Sequence, residues 1–520
     1  VLPGLDVTAR PSSRPIRRRV FHLHGTGTAL RYIVHNNSLN NVRRGIAERV
    51  LYIKSGENYA PPVRPLAGVF EERMVEFHRR IRRHLPSTTP ITRDEFAMLY
   101  RGRRQAVYLA AALTLRSKAV TRLDSHLKAF VKAEKILWAV AGLTIVKAKV
   151  DPAPRLIQPR DPRYNVEVGR YLKPHEGKVY KAIGKVWGDV TVAKGLNASQ
   201  RGKLVEKKWN SFRNPVAVGL DASRFDQHVS PDGLKWEHSV YLMMNNEEEF
   251  RELLSWQIRN KGVAYVKDGK CKYRTNGCRM SGDMNTALGN CLIMSAMVYS
   301  YCKSKHIKAK LINDGDDCVV FIEKCNLHTF QDGLDIWFTE MGFSMKVEDP
   351  VHRLEEVEFC QCHPVWTDEG YIMVRNIRQS LAKDSVSIKP LDNERIFRKW
   401  CGEVGDCGLS LTGGIPVVAE FYKVLQRASG GVRSARLGYD PVFETGMRMM
   451  ARGMERKDTE VLAKTRASFY YAFGVQPDTQ VEWEDYYRQQ DLVYTAAEPR
   501  YEASPSFTLS RSLPQAFCHL

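Results

Sequence analysis
No stretch of this 520-residue sequence is apolar for long enough to cross a bilayer. The two longest apolar runs, AVYLAAALTL at 106–115 and LWAVAGLTIV at 137–146, are about half the ~20 residues a spanning helix needs, and they read as core segments. No secretory signal opens the chain. No C-x2-C pair occurs, and the 11 cysteines are scattered and odd in number. That excludes a disulfide framework and fits reduced thiols in a cytosolic setting. The fragment CQCHP at 360–364 has zinc-ligand residue types, but no second half follows at ligand spacing, so plain packing is the better reading. No internal repeat is visible. The sequence is also short of acid: 58 Asp and Glu stand against 79 Lys and Arg, a net charge of +21. A chain so basic, with pI near 9.4, calls for a polyanionic partner. Nucleic acid is the usual one, and an anionic membrane surface is the other candidate.

What is present is globular. Apolar residues make up 43% and aromatics 10% of the chain, which excludes disorder. The length predicts two to four lobes. The charge is uneven: residues 1–120 carry 22 Lys/Arg against 8 Asp/Glu. The opening twenty residues, with RPSSRPIRRRV, read as a mobile basic arm. Residues 92–148 read mostly as helix. The segment DPAPRLIQPRDPRYN at 151–165 is punctuated by proline and cannot be helical throughout. Helical patterns return over 171–210. PVAVGL at 215–220 predicts a buried strand, 285–302 a long helix, and 310–322 a strand, tight turn and strand. Residues 390–490 are mixed with helices, and the Ser/Pro-rich last thirty residues read as frayed.

The turn raises a chemical question. LINDGDDCVVFI at 311–322 crowds Asp314, Asp316 and Asp317 around one glycine. Asp and Gly are common in turns, so this alone is compatible with an ordinary hairpin. A second stretch, VAVGLDASRFD at 216–226, also ends an apolar strand in an aspartate, Asp221. If the two strands are neighbours, Asp221 and Asp316 meet at one sheet edge. Hard oxygen ligands in that arrangement suit Mg2+ or Mn2+. A pair of such ions clamps the attacking and leaving oxygens of a phosphoryl displacement.

DASRFD, SGDMNTALGN and GDD, in that order, resemble motifs A, B and C of viral RNA-dependent RNA polymerases. FVKAEK at 130–135 and PAPRLIQPRDPRYNVEVGRYLKPHEGKVYKAI at 152–183 resemble motif F of tombusvirus-like plant viruses, of the carmovirus type. MGFSMKVED at 341–349 resembles motif D, and EFCQ at 358–361 motif E. The resemblance implies an α+β right-hand fold of fingers, palm and thumb, with a small antiparallel palm sheet and mainly helical fingers and thumb. Its expected divisions are a basic N-terminal extension at 1–90 bridging fingers and thumb, fingers at 91–215, palm at 216–390 with a fingers insertion near 240–275, and thumb and tail at 391–520.

It also implies roles. Asp221 and Asp316 are the expected ligands of two Mg2+ ions, for which Mn2+ can substitute, with Asp317 an outer ligand and Asp314 a turn residue. Asp226 with Asn290 is expected to read the ribose 2′-hydroxyl, since a hydroxyl wants both an acceptor and a donor; the structural alternative for Asp226 is a helix cap. Ser281, Gly282 and Thr286 are expected to position template and nucleotide. Lys132 and Arg155, with Lys128 and Lys135, are the expected triphosphate contacts, and Ile157 is expected to pack on the templating base or its pair. Lys346 is either a proton donor to pyrophosphate or a surface lysine. Phe359 and Cys360 are expected to support the primer strand, and MLYRGRRQ at 98–105 to line the template entrance.

The implied activity is RNA-directed RNA polymerisation, replicating a positive-strand RNA genome in plant cells, with starts that need no primer. The implied partners are viral RNA template and product, NTPs, the viral auxiliary replication protein, and host membranes reached through that protein or an upstream segment. The implied location is the host cytoplasm, in membrane-associated replication complexes. The sequence begins at Val1, which fits the readthrough portion of a longer product. Two rivals remain from the residues: a reverse transcriptase, against which Asp226 argues, and a non-catalytic RNA-binding protein, against which the central carboxylates argue.

Overall fold
A glycine between carboxylates closes the central hairpin. The strands Ala309–Asp314 and Asp317–Glu323 run antiparallel with Asp314 opposite Asp317. Only Gly315 and Asp316 remain for the turn. Gly315 takes a φ of +79°, as the first position of a tight two-residue hairpin requires, and a side chain there would be strained. Asn313 Nδ2 donates to the Gly315 carbonyl at 2.7 Å and pins the loop. The computed structural model describes residues 2–23, 26, 31–138, 151–433, 446–494 and 507–508.

The hairpin belongs to a four-stranded antiparallel sheet. Across it the order is Ala309–Asp314, Asp317–Glu323, Pro215–Ala222 and Met345–Val347. Its strands are apolar on both faces because both are covered. Leu311, Val320, Ile322, Val216, Val218 and Leu220 pack into one core with the helices Pro162–Trp187 and Thr286–Ser304. Ile312, Val319, Phe321 and Ala217 point the other way, onto Leu204 and Val205 of the helix Ala198–Trp209. Period-2 alternation sends successive residues to opposite faces, so a continuous apolar run means two buried faces. The two neighbouring helices have legible ends. Asp161 caps Pro162–Trp187 by accepting from the Arg163 N–H at 2.9 Å, and Gly188 ends it at φ +90°. Thr286–Ser304 is buried along almost its whole length. Among the described residues no helix is long and apolar enough to cross a membrane.

A second sheet joins distant parts of the chain. Its order is Leu5–Ala9, Gly269–Asn276, Arg259–Val266 and Leu127–Lys128, the last pair parallel. The N-terminal segment is therefore docked, not the free arm expected. Leu5–Ala9 completes this sheet, and Arg18 donates to the carbonyls of His35 and Val131 at 3.1 and 2.8 Å. Further on, Phe21–His22 pairs with Val386–Ser387, and Arg31–His35 pairs with Ile136–Trp138 and with Phe507–Thr508. Edge strands with unmet backbone groups accept a partner readily, and a charge count does not register that.

The helical expectation for 92–148 holds only to Leu115. Helices Arg93–Met98 and Gly102–Leu115 give way to a turn of 3-10 helix and the short strands Leu127–Lys128, Phe130–Val131 and Ile136–Trp138. Sheet pairing with remote segments overrides local propensity there. Positions 139–146 of the second apolar run, and the rest of 139–148, lie outside the described residues, as does most of the last thirty. Residues after 390 carry the helices Glu394–Thr412, Val418–Ala428, Ala463–Phe473 and Pro477–Gln489, around a core shared with Phe21, Leu23, Val365, Ile372, Ile377 and Leu381. Helices and small, chiefly antiparallel sheets make the architecture α+β.

Candidate active site
The sheet register lines up four charged residues. Asp314 pairs with Asp317, Asp317 with Asp221, and Asp221 with Lys346. Directly opposed residues on adjacent strands share a face, with Cβ atoms about 5 Å apart. Three carboxylates and one ammonium therefore form a row across the sheet, with Asp316 on the turn beside it. Asp221, Asp316 and Lys346 are exposed, and Asp314 and Asp317 half-buried.

The negative charge in this row is handled unequally. Asp314 is clasped by Lys194 Nζ at 2.5 Å and Arg201 Nη2 at 2.7 Å. Burial works to raise its pKa, but these cations prevail and hold it below the usual range. Asp314 is thus neutralised by the protein itself. Asp317 accepts the Cys360 backbone N–H at 3.0 Å. Burial, then the neighbouring Asp316, nevertheless push it up to about 7. Asp316 is also raised, by desolvation and by Asp221, with its own backbone N–H, Arg155 and Lys194 acting against them. Among the described residues neither Asp221 nor Asp316 is held in an ion pair. Raised carboxyls without a bound cation mark a place where positive charge would be stabilised. The donor set, hard carboxylate oxygens at a strand end, suits a divalent cation. Among the described residues no three or more acidic, His or Cys side chains already converge as a metal cage. The CQCHP fragment is accounted for otherwise: His363 uses Nδ1 on the Glu355 carbonyl at 2.8 Å and Nε2 on Glu358 at 3.1 Å.

Asp226 and Asn290 come together. Asn290 Nδ2 donates to Asp226 Oδ1 at 2.8 Å. Asp226 follows Phe225 in the short helix Phe225–His228, and Asn290 lies one turn into Thr286–Ser304. Burial raises the Asp226 pKa, and the bond from Asn290 opposes that. Thr286, on the same helix face, gives its hydroxyl to the Met280 carbonyl at 2.6 Å. The Ser281 carbonyl accepts from Gln158 N–H at 2.7 Å. Gly282 takes φ +129°, where a Cβ would sit 3.2 Å from Pro159 N. The loop is therefore threaded against the 155–160 segment, and the buried Arg160–Asp283 pair, with contacts of 2.6 and 3.1 Å, bolts the two together.

The basic residues divide. Arg155 is exposed and close enough to act on both Asp316 and Asp226. Its guanidinium and Lys132 Nζ both contact Glu134, at 3.3 and 3.1 Å. Lys128 is exposed, 3.6 Å from Asp161. Ile157 pairs with Phe130 in a two-residue ladder beside them. Lys135 is directed elsewhere: its ammonium donates to the Lys383 carbonyl at 2.7 Å, and burial lowers its pKa to about 8. Phe359 is buried, while Cys360 and Gln361 take φ of +51° and +60°, a strained pair that aims the Cys360 N–H at Asp317. The stretch 98–105 is largely exposed, with Gln105 Nε2 bonded to the Tyr100 carbonyl at 2.8 Å.

Sequence reasoning missed Lys194, Arg201, Glu134 and Glu348. Glu348 lies over Gly219, where any Cβ would collide with its carboxyl. Glu348 and Glu134 sit inside quoted motifs, so proximity in sequence was a signal for them. Lys194 and Arg201 gave none.

The sequence matches the family of viral RNA dependent RNA polymerases over residues 6–494. It is 45% identical over 486 residues to the RNA-directed RNA polymerase of Melon necrotic spot virus, covering 93% of this chain and 60% of that protein. It is 44% identical over 482 residues to that of Turnip crinkle virus, covering 92% and 61%. For Tobacco necrosis virus strain A the identity is 42% over 490 residues, covering 94% and 66%. The chain thus spans under two thirds of the length of these relatives. With the match running almost end to end, this chain belongs to the viral RNA-dependent RNA polymerase family.

Proposed function
We propose that the chain is the polymerase body of a plant positive-strand RNA virus replicase, joining ribonucleotides on an RNA template. The single observation that carries this is the row Asp314–Asp317–Asp221–Lys346 with Asp316 at its turn. We take residues 91–215 as fingers, 216–390 as palm with a fingers insertion near 240–275, and 391–520 as thumb and tail. The pairing of 5–9, 21–22 and 31–35 with remote strands favours the 1–90 segment as the bridge between them.

In the reaction the primer 3′-hydroxyl gives up its proton to solvent water and its oxygen attacks the α-phosphorus of an NTP. A new P–O bond forms, the bond to the β-phosphate oxygen breaks, and pyrophosphate leaves. Asp221 and Asp316 would hold the divalent cations, Mg2+ or Mn2+, with Asp317 behind them, and these supply Lewis-acid charge to the reacting oxygens. Arg155 and Lys132 exchange their shared contact with Glu134 for the triphosphate, and Lys128 adds charge at the rim. Lys346, an exposed ammonium next to Asp221, gives its proton to the departing pyrophosphate. Asp226 accepts from, and Asn290 donates to, the ribose 2′-hydroxyl. Ser281, Gly282 and Thr286 fix the loop against which template and nucleotide lie, and Ile157 packs on the base. The protein's contribution is positioning and charge. In the cell we place the chain in membrane-associated replication complexes of the host cytoplasm, with the viral auxiliary protein as partner.

The test is primer extension on an RNA template with radiolabelled NTP, with Mg2+, with Mn2+ and with chelator. Template-dependent products that need a divalent ion support the assignment. Binding of RNA without synthesis under every condition would sink it.

A further inference from the structure
Beneath Asp226 and Asn290 lies a charged pair that the reaction does not touch. Arg279 and Glu237 are 1% and 0% exposed in their side chains. The guanidinium grips Glu237 with both terminal nitrogens. Glu237 Oε1 also accepts from Tyr241 Oη and from Asn285 Nδ2 at 2.9 Å, and Asn285 exchanges two bonds with Gln257 at 2.9 and 3.0 Å. An ion pair taken wholly out of water is expensive to bury. Replacing it with apolar residues is often neutral or stabilising, so stability alone is a weak reason for it to be there.

What this pair does locally is hold both members of the Asp226–Asn290 couple. Arg279 Nε donates to Asn290 Oδ1 at 2.9 Å. The Arg279 backbone N–H donates to the Asp226 carbonyl at 2.7 Å. A guanidinium has donors only. Asn290 must therefore turn its carbonyl oxygen toward Arg279, and its NH2 group falls to Asp226. One amide hydrogen is used in the 2.8 Å bond to Asp226 Oδ1. The second amide hydrogen and the second Asp226 oxygen are left as a donor beside an acceptor. With the amide reversed, two oxygens would face each other and that donor would be lost. The fit leaves no slack: a Cβ on Gly289 would lie 2.2 Å from both Arg279 Nη2 and Glu237 Oε1.

We propose that Arg279, fixed by Glu237, is a positioning residue for sugar discrimination, setting the amide orientation of Asn290 that lets the couple read a 2′-hydroxyl. This rests on the ribose-reading role given above to Asp226 and Asn290.

The experiment is single-nucleotide extension with ATP and with 2′-deoxyATP, comparing kcat/KM ratios for wild type, Asp226→Ala, Asn290→Ala, Arg279→Lys and Arg279→Lys/Asn290→Ala. Lysine keeps the buried charge near Glu237 but has no Nε to offer Asn290. The ribo/deoxy ratio is expected to fall about tenfold in Arg279→Lys, the order of one oriented hydrogen bond. The loss should lie in KM for ATP, with 2′-deoxyATP nearly unaffected. In the double variant the ratio should match Asn290→Ala alone. Equal losses on both nucleotides, or a ratio that multiplies in the double variant, would overturn the proposal. If Arg279→Lys does not give the wild-type melting transition, Glu237→Gln is read the same way; failure of both to fold overturns it too, since the pair would then serve the fold. An unchanged ratio in Asp226→Ala would overturn the ribose reading itself. A shifted ratio there with an unchanged one in Arg279→Lys would sink only the role of Arg279.

Discussion
Asp221 and Asp317 stand directly opposite each other on adjacent antiparallel strands, with Asp314 and Lys346 continuing the row on the outer strands. Like charges in such positions destabilise a sheet. The protein offsets one end of the row with Lys194 and Arg201 and leaves the other end, around Asp221 and Asp316, without an ion pair among the described residues. The repulsion is thus concentrated around the carboxylates to which we assign the divalent cations.

Removing one carboxylate from that end separates chemistry from binding. Asp316→Ala should lower nucleotide incorporation by about a thousandfold or more, since several kcal/mol of charge stabilisation depend on it. RNA affinity, measured by fluorescence anisotropy, should stay within a few-fold, as the basic surface is untouched. Substantial residual synthesis would remove Asp316 from the site.

The neutralised end should behave as structure. Arg201→Met leaves Asp314 with Lys194 alone in a largely buried setting. A loss of about 3 kcal/mol in unfolding free energy is expected, the order seen when a buried pair is broken. Asp314→Asn keeps hydrogen-bonding capacity and should cost less. Urea titration of both variants checks the order.

Two glycines predict opposite signs. Gly282 has φ +129° and a Cβ there would crowd Pro159, whereas nothing lies within 4 Å of a Cβ on Gly177, inside a helix. Gly282→Ala should cost about 1–3 kcal/mol of local strain and impair incorporation. Gly177→Ala should be neutral or stabilising by up to about 1 kcal/mol. Melting temperatures and extension rates of the two variants give the comparison.

His175 makes stability depend on pH. It is 1% exposed, its Nε2 meets the Tyr241 carbonyl at 3.2 Å, and burial lowers its pKa from 6.5 to about 4, with Lys178 adding slightly. The folded value lies below the unfolded one, so the unfolded chain binds the proton first. The stability that a neutral His175 contributes is present above pH 6.5 and is lost as pH falls toward 4. Between pH 7 and pH 5 that loss is about 2 kcal/mol. The gap in unfolding free energy between wild type and His175→Gln should shrink by that amount. A gap independent of pH would show that His175 does not titrate as its burial requires.

RNA affinity should fall steeply with salt, because each phosphate neutralised releases a counterion. A plot of log affinity against log salt should have a slope of several units, and Arg155→Ala should reduce it by about one. A flat line would argue against a basic channel.

Much of the site was legible because its residues are close in sequence or fixed by local geometry. Two loop residues force the hairpin at 314–317, and four-residue spacing puts Thr286 and Asn290 on one helix face. Other features left no trace. The carboxylate that engages Arg279 is 42 positions upstream, and the cations that clasp Asp314 come from a helix and loop more than a hundred residues before it. Lys135 lies in a motif with Lys132 yet faces Lys383, since strand pairing at 136–138 turns it away.

By itself the sequence determined the hairpin, the long buried helix, the excess of positive charge and the residue types at the sheet edge. Those follow from periodicity, turn chemistry and composition, which act over a few residues. Only the tertiary structure decided the register that puts Asp221 between Asp317 and Lys346, the docking of the N-terminal strand Leu5–Ala9, and the buried pair beneath Asn290. Each depends on which distant backbone or side-chain group satisfies a charge or hydrogen bond, and that choice is made by packing the whole chain.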